Sequence, residues 1–336
     1  MKRKFTLQVL GVLTGAVLAG SMPVQPLAVG ASRSTRHDVR VGSFNVVGVN
    51  ADSKARGNQK TWARRRSTVV SQILGEKLDV LGVQEVNQSS IYKRHLHYGI
   101  TQYLDLRGAL NAKGGHYALT NTNAYNCARP TSTYRCVARD MGSSGDNRIL
   151  YNTRTVTMLK QGAVTYSTHA AGHPNRYLAW AILKMKATGK SFFFTNTHLD
   201  PYSIRARRKQ WDQMISRINS LHRRLPVIAV GDFNTSKFSD YADTYIPRMK
   251  SNGYGDVLNQ VPNRNTLTRR RAEATRRAWV GSFNGFRRNA ADFGYEDDRH
   301  KIGNSIDWIF ATNRLRVKAW EVVVNIYTRS LNVKGT

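Results

Sequence analysis

Asn45 in SFNVV, Glu85 in LGVQEV, His198 in TNTHLD, Asp232 and Asn234 in VIAVGDFNTS, and Asp307 in SIDWIF all stand where an apolar, strand-like run gives way to polar residues. Carboxylates are the hard oxygen ligands that Mg²⁺, Mn²⁺ or Ca²⁺ takes, and a histidine can donate hydrogen bonds to a phosphate oxygen. Residues two apart on a strand face the same side, so Asp232 and Asn234 are expected side by side at a strand mouth. One polar residue at a strand end is usually a cap or a solvated edge. Five strands ending this way point to a shared site.

The elements that must position these residues follow from hydrophobic period. VRVGSFNVV reads as a strand. TWARRRSTVVSQILGEKL then places Trp62, Val69, Val70, Ile73, Leu74 and Leu78 on one helical face, and DVLGVQEV is the next strand. RILYNT, TVTML, RYLAWAILKMK and SFFFTNTHL are four β-rich runs with short polar connections, the pattern of antiparallel neighbours. SIRARRKQWDQMISRINSL is an amphipathic helix with Ile204, Trp211, Met214, Ile215 and Ile218 inward. The stretch from about Ser236 to Asn304 is irregular and rich in Arg, Asn and Gly, and reads as long functional loops with short elements. SIDWIFATN and VKAWEVVVN close the chain as two more strands.

The chain has 336 residues and a net charge of +31. Such an excess favours a polyanionic partner: nucleic acid, an anionic lipid or another anionic polymer. MKRK followed by the apolar Val9 to Gly20 and the small residues of LAVGAS reads as a secretory signal peptide over residues 1–31, too short in its apolar run for a membrane span. The protein is therefore expected to be secreted, without stable membrane insertion, and to act as a monomer. Cys127 and Cys136, in CARPTSTYRC, are the only cysteines and are expected to close a surface loop as a disulfide.

Taken together, SFNV, GVQEV, NTHLD, GDFN and SIDWIF resemble, in order and spacing, the endonuclease/exonuclease/phosphatase superfamily, which includes deoxyribonucleases, abasic-site endonucleases, sphingomyelinases and inositol polyphosphate phosphatases. The resemblance covers about Arg40 to Asn325. It implies a single α/β domain over residues 38–336, a four-layered sandwich of two packed mixed β-sheets flanked by helices, that hydrolyses a phosphoester with the help of Mg²⁺, with Mn²⁺ or Ca²⁺ as alternatives. It further implies that Glu85 is the metal ligand with Asn45 beside it, and that Asp232 orients or deprotonates the attacking water with Asn234 fixing it. By the same resemblance His198 faces the phosphate, and Arg148 in DNRILY stands near a substrate-binding position.

Relatives place a Ser-Asp-His triplet roughly two dozen residues after the position of Asp307, whose carboxylate holds that histidine. No Asp-His dipeptide follows Asp307 here, and the last histidine is His300. The domain is accordingly expected to be C-terminally incomplete; the alternative is real loss of the histidine. The leading functional expectation is a secreted metal-dependent nuclease. The alternatives are a sphingomyelinase-like or inositol-phosphate phosphoesterase, and a catalytically impaired polyanion-binding protein. For the cysteines the expected outcome is direct: thiol titration of the exported chain finds no free thiol until a reductant is added, and two titratable thiols in the native protein would refute the pairing.

Overall fold

The computed structural model describes residues 5–7, 38–55, 57, 59–87, 101–121, 144–236, 240–260, 275–276, 280–283, 285–286, 295–297, 302–303 and 305–323. Cys127, Cys136, His300 and most of the basic run TRRRAEATRR lie outside these residues.

The strands in chain order are β1 (Phe5–Leu7), β2 (Val41–Asn45), β3 (Val80–Gln84), β4 (Tyr117–Leu119), β5 (Arg148–Asn152), β6 (Val156–Thr165), β7 (Tyr177–Met185), β8 (Ser191–His198), β9 (Val227–Asp232), β10 (Tyr254–Asp256), β11 (Thr275–Arg276), β12 (Tyr295–Asp297), β13 (Ile302–Gly303), β14 (Asp307–Thr312) and β15 (Trp320–Glu321). The helices are α1 (Trp62–Gly75), α2 (Gln102–Ala112), α3 (Ile204–Leu221), α4 (Asp240–Ser251) and α5 (Val257–Gln260). One sheet runs β1-β2-β3-β5-β4 and the other β10-β14-β9-β8-β7-β6. Each contains one parallel pair, β2 with β3 and β8 with β9, among antiparallel ones, so both are mixed. β1, within the segment read as a leader, pairs antiparallel with β2.

The period of two decides which face each residue serves. Val41, Val80, Phe192, Phe194, Ile228, Val230 and Ile309 fill the space between the sheets. Phe44, Leu81 and Val83 face the other way, onto Trp62, Val69 and Ile73 of α1 and Leu106 and Leu110 of α2. On the far side, Phe193, Val227, Trp308 and Phe310 pack against Trp211, Met214 and Ile218 of α3 and against Met249 of α4. These are the four layers: helices, sheet, sheet, helices.

Three expectations change. Among its described residues VKAWEVVVN contributes one strand, β15, which pairs with β11. Ile204, expected inward on α3, is 45% exposed, because it is the helix's first residue and lies beyond the sheet it covers. The region read as loops with short elements contains a full helix, α4, of 12 residues, whose amphipathic signal is interrupted by Pro247. Helix α2 has no counterpart in the sequence reading, although Thr101 caps it by accepting from Leu104 N.

Where the sheets press together under their strand ends, glycine is required. A Cβ at Gly82 would sit 2.4 Å from Val230 Cγ2 and 2.9 Å from the Asn196 side chain, neither of which can swing away. Gly82→Ala is therefore expected to destabilise the fold by about 1–3 kcal/mol, the cost of overpacking a filled core, read as a lowered urea midpoint at unchanged slope. An unchanged midpoint would show that the sheets separate more easily than this packing implies.

Candidate active site

Inner-face positions at the same end of neighbouring strands converge. Asn45 ends β2, His198 ends β8 and Asp232 ends β9; His198 and Asp232 are direct partners in the parallel ladder, and Asp307 is the partner of Asp232 in the antiparallel one. Asp307 thus begins its strand rather than ending it. The next residue after β3, Glu85, would by simple alternation face the helices. Its left-handed backbone, φ +58, turns it back instead, and its carboxylate meets the site.

The centre is one amide between two carboxylates. Asn45 Nδ2 donates to Glu85 Oε1 at 2.7 Å and to Asp232 Oδ2 at 3.0 Å, while Asn45 Oδ1 accepts from Val47 N at 3.0 Å. Gly48 N donates to Glu85 Oε2 at 3.2 Å. Asp232 Oδ1 accepts from Asn234 N at 3.0 Å, and Asn234 Nδ2 donates to Leu199 O at 2.9 Å. Asp232 and Asn234 are indeed neighbours, but not by strand alternation: β9 stops at Asp232, and Asn234 lies in a turn with φ +48. His198 is buried, with Nδ1 unpartnered among the described residues. Asp307 is fully buried and accepts from Ser282 Oγ at 2.6 Å; Ser282 Oγ in turn accepts from Asp307 N and Ile306 N.

Arg148 does not line the cleft. It is fully buried, its guanidinium 4.2 Å over the Tyr103 ring and donating to Ser144 Oγ and to the carbonyls of Gly145 and Asn147. Burial pushes its basicity below the ordinary arginine value. It holds up the Ser144–Asn147 turn from below, and only Gly145 and Asp146 of that turn reach the cleft.

Sequence reasoning missed the residues that fix the site loops. Gln102, fully buried, accepts from Val49 N at 2.9 Å and Asn87 N at 3.0 Å and donates to Val47 O at 2.9 Å, so it joins the loop after Asn45 to the loop after Glu85. Arg65 donates to the carbonyls of Val46 and, at 2.6 Å, Val47. Asp200 accepts from the backbone N–H groups of Ala170, Tyr202 and Ser203. The only sequence signal for any of them is Asp200's place in the THLD motif.

Asn45, Glu85, His198, Asp232 and Asn234 form the floor of an open cleft of about 910 Å³, lined also by Asn50, Lys54, His173, Arg176, Tyr202, Phe283 and Phe286. A floor of two carboxylates, an amide and a histidine under a wall carrying Lys54 and Arg176 suits a phosphate ester. Residues 42–326 match the Endonuclease/Exonuclease/phosphatase family. The chain belongs to that family, whose members are phosphoester hydrolases that generally use divalent metal ions. Comparison with curated proteins gives no match. Among solved structures, a mannosyl-6-phosphatase of Bacteroides thetaiotaomicron is 22% identical with a TM-score of 0.61, over 85% of this chain and 90% of that one. A family member from Bacteroides vulgatus is 21% identical with a TM-score of 0.60, over 86% and 93%. One from Leptotrichia buccalis is 16% identical with a TM-score of 0.55, over 85% and 92%. At these identities the likeness establishes the fold.

Asp200 supplies a pH test of the scaffold. Burial alone would raise its carboxyl, but the N–H groups of Ala170, Ser203 and Tyr202, with Arg176 nearby, outweigh burial and hold it below the ordinary carboxylate value. A depressed folded value means that its stabilisation is complete above the unfolded carboxylate value and is lost as pH falls through the folded one. Asp200→Asn should therefore melt below wild type at neutral pH, with the gap closing as the solution is acidified. A gap independent of pH would refute this account.

Proposed function

We propose that this chain is a secreted, divalent-metal-dependent phosphodiesterase that cleaves nucleic acid by attack of water on the phosphodiester. The observation that carries the reading is the Asn45 amide holding the Glu85 and Asp232 carboxylates together on the cleft floor, with His198 in register beside them. The donor set fits Mg²⁺: the Glu85 and Asp232 carboxylates are hard oxygen groups that line the cleft, the kind of ligand that Mg²⁺ takes one or two of. Held by Glu85 with Asn45 beside it, the ion would neutralise charge on the phosphate and its leaving oxygen.

The protein's own residues supply the rest. Asp232, its Oδ1 steadied by Asn234 N–H, orients the water and takes its proton. His198 faces the phosphate, and its burial keeps water from competing for it. A net charge of +31, with Arg205, Arg208, Lys209 and Arg217 exposed along α3, favours a polyanion as substrate. The basic then apolar N-terminus supports export. No described helix is long and apolar enough to cross a membrane.

The test is plasmid hydrolysis with Mg²⁺ or Mn²⁺, expected to stop when a chelator is added; release of phosphate or phosphocholine without nucleic acid cleavage would refute the reading. Glu85→Gln should abolish metal-dependent cleavage while leaving the far-ultraviolet circular dichroism unchanged. Asp232→Asn should slow turnover by about a hundred- to ten-thousand-fold, the usual worth of a positioned base. Wild-type turnover in either variant would sink its assigned role.

A further inference from the structure

The cleft wall carries an aromatic pair that the hydrolytic residues do not use. Tyr202 is 66% exposed, and its ring stacks on that of His173 with centroids 3.8 Å apart and planes 20° from parallel. Both line the cleft that holds Asp232 and His198. An exposed tyrosine on an ordinary loop keeps much of its freedom, but here the backbone under both rings is fixed by one buried carboxylate. Asp200 accepts from Tyr202 N and Ser203 N at 2.8 Å each and from Ala170 N at 2.7 Å, and His173 N donates to Ala170 O at 3.1 Å. Gln210, fully buried, accepts from Asp200 N at 2.8 Å and donates to Thr168 O at 2.7 Å. Arg207 closes the arrangement by donating to Asp200 O at 2.6 Å. Two loops thirty residues apart in sequence are thus clamped together directly beneath the stack.

A rigid aromatic face turned to solvent beside a catalytic floor has the properties of a binding surface, since large apolar area held in water without use is unfavourable. The same cleft is lined by Phe283, 63% exposed, and by Phe286, with Lys54 and Arg176 supplying positive charge. Aromatic rings interleaved with cations are how proteins grip unpaired nucleic acid: the cations take the backbone, and the rings take the base faces, which inside a duplex are covered by neighbouring pairs.

We propose that the Tyr202–His173 pair is a stacking platform for an unpaired nucleobase beside the scissile phosphate, so that the preferred substrate is single-stranded nucleic acid. This rests on the nuclease reading above and names its substrate class. Binding is read by fluorescence anisotropy in the Glu85→Gln chain, where turnover does not intervene, with a short oligothymidylate, the same sugar-phosphate strand lacking bases, and a fully paired duplex. The oligothymidylate should bind about tenfold more tightly than the baseless strand, in the range of one stacked base. Tyr202→Ala should remove that difference and Tyr202→Phe should keep it, because the ring rather than the hydroxyl carries the stack. His173→Ala should weaken it independently, which separates loss of the platform from a fold defect at position 202. Equal binding of strands with and without bases, a duplex bound as tightly as the single strand, or a base preference that survives both alanine variants would overturn the platform and leave the nuclease reading standing. Failure of the wild-type chain to cleave any nucleic acid, with release of phosphate from a sugar phosphate instead, would overturn the nuclease reading and the platform with it.

Discussion

The geometry of this protein depends on a polar contact buried between its two sheets. Gln84 Nε2 donates to Asn196 Oδ1 at 2.6 Å and to Ser43 Oγ at 3.1 Å, and Asn196 Nδ2 donates to the carbonyls of Val83 and Arg148 at 2.8 and 2.9 Å. Each bond adds only about 1 kcal/mol to stability, but a misregistered packing would strand several buried polar groups at about 1–3 kcal/mol apiece. Apolar faces can slide on one another; this pair cannot. Gln84 is the residue before Glu85, and Asn196 lies two before His198 on the same face of β8. The contact that sets how the sheets meet therefore also sets how the two halves of the catalytic floor meet, with Gly82 admitting the close approach.

Above that level the site is built from loops, and their order comes from side chains reaching the backbone over long sequence distances. Gln102 and Arg65 hold the loop after β2, Asp200 and Gln210 hold the loop after β8 to the loop between β6 and β7, and Thr235 is fixed from below by the indoles of Trp211 and Trp308. The result is a preorganised floor in which each hydrolytic group is positioned before substrate arrives, which is the condition for electrostatic stabilisation of a transition state.

Much of this was legible in the sequence because strand period is a local signal. An apolar run that ends in Asn45, His198 or Asp232 announces both the strand and the end at which its polar residue sits, and the helical faces of α1 and α3 are plain in the spacing of Trp62, Val69 and Ile73 or of Trp211, Met214 and Ile218. What failed was non-local or turned on a single dihedral angle. Asn234 reached Asp232 through a turn that the strand rule does not foresee. Nothing in DNRILY shows that backbone carbonyls and the Tyr103 ring fold onto Arg148 and keep it out of the cleft lining. Gln102, in an unremarked polar stretch, gave no sign that three backbone groups of two loops would converge on its amide. Tyr202 likewise gave no sign of a partner, because His173 comes from a loop before β7.

The loop after β2 has one further property. Val47 adopts φ +61, a left-handed conformation that a β-branched side chain tolerates poorly. It stays there because Arg65 and Gln102 both hold its carbonyl. Strain of this kind costs on the order of 1–3 kcal/mol and persists only where the surroundings over-determine it. Glycine at position 47 would relieve it and leave the loop free to leave Asn45 behind. Directed evolution for heat resistance alone would thus be drawn to this position and would return sturdier molecules with a slacker floor, whereas a screen that also demands turnover would keep the valine.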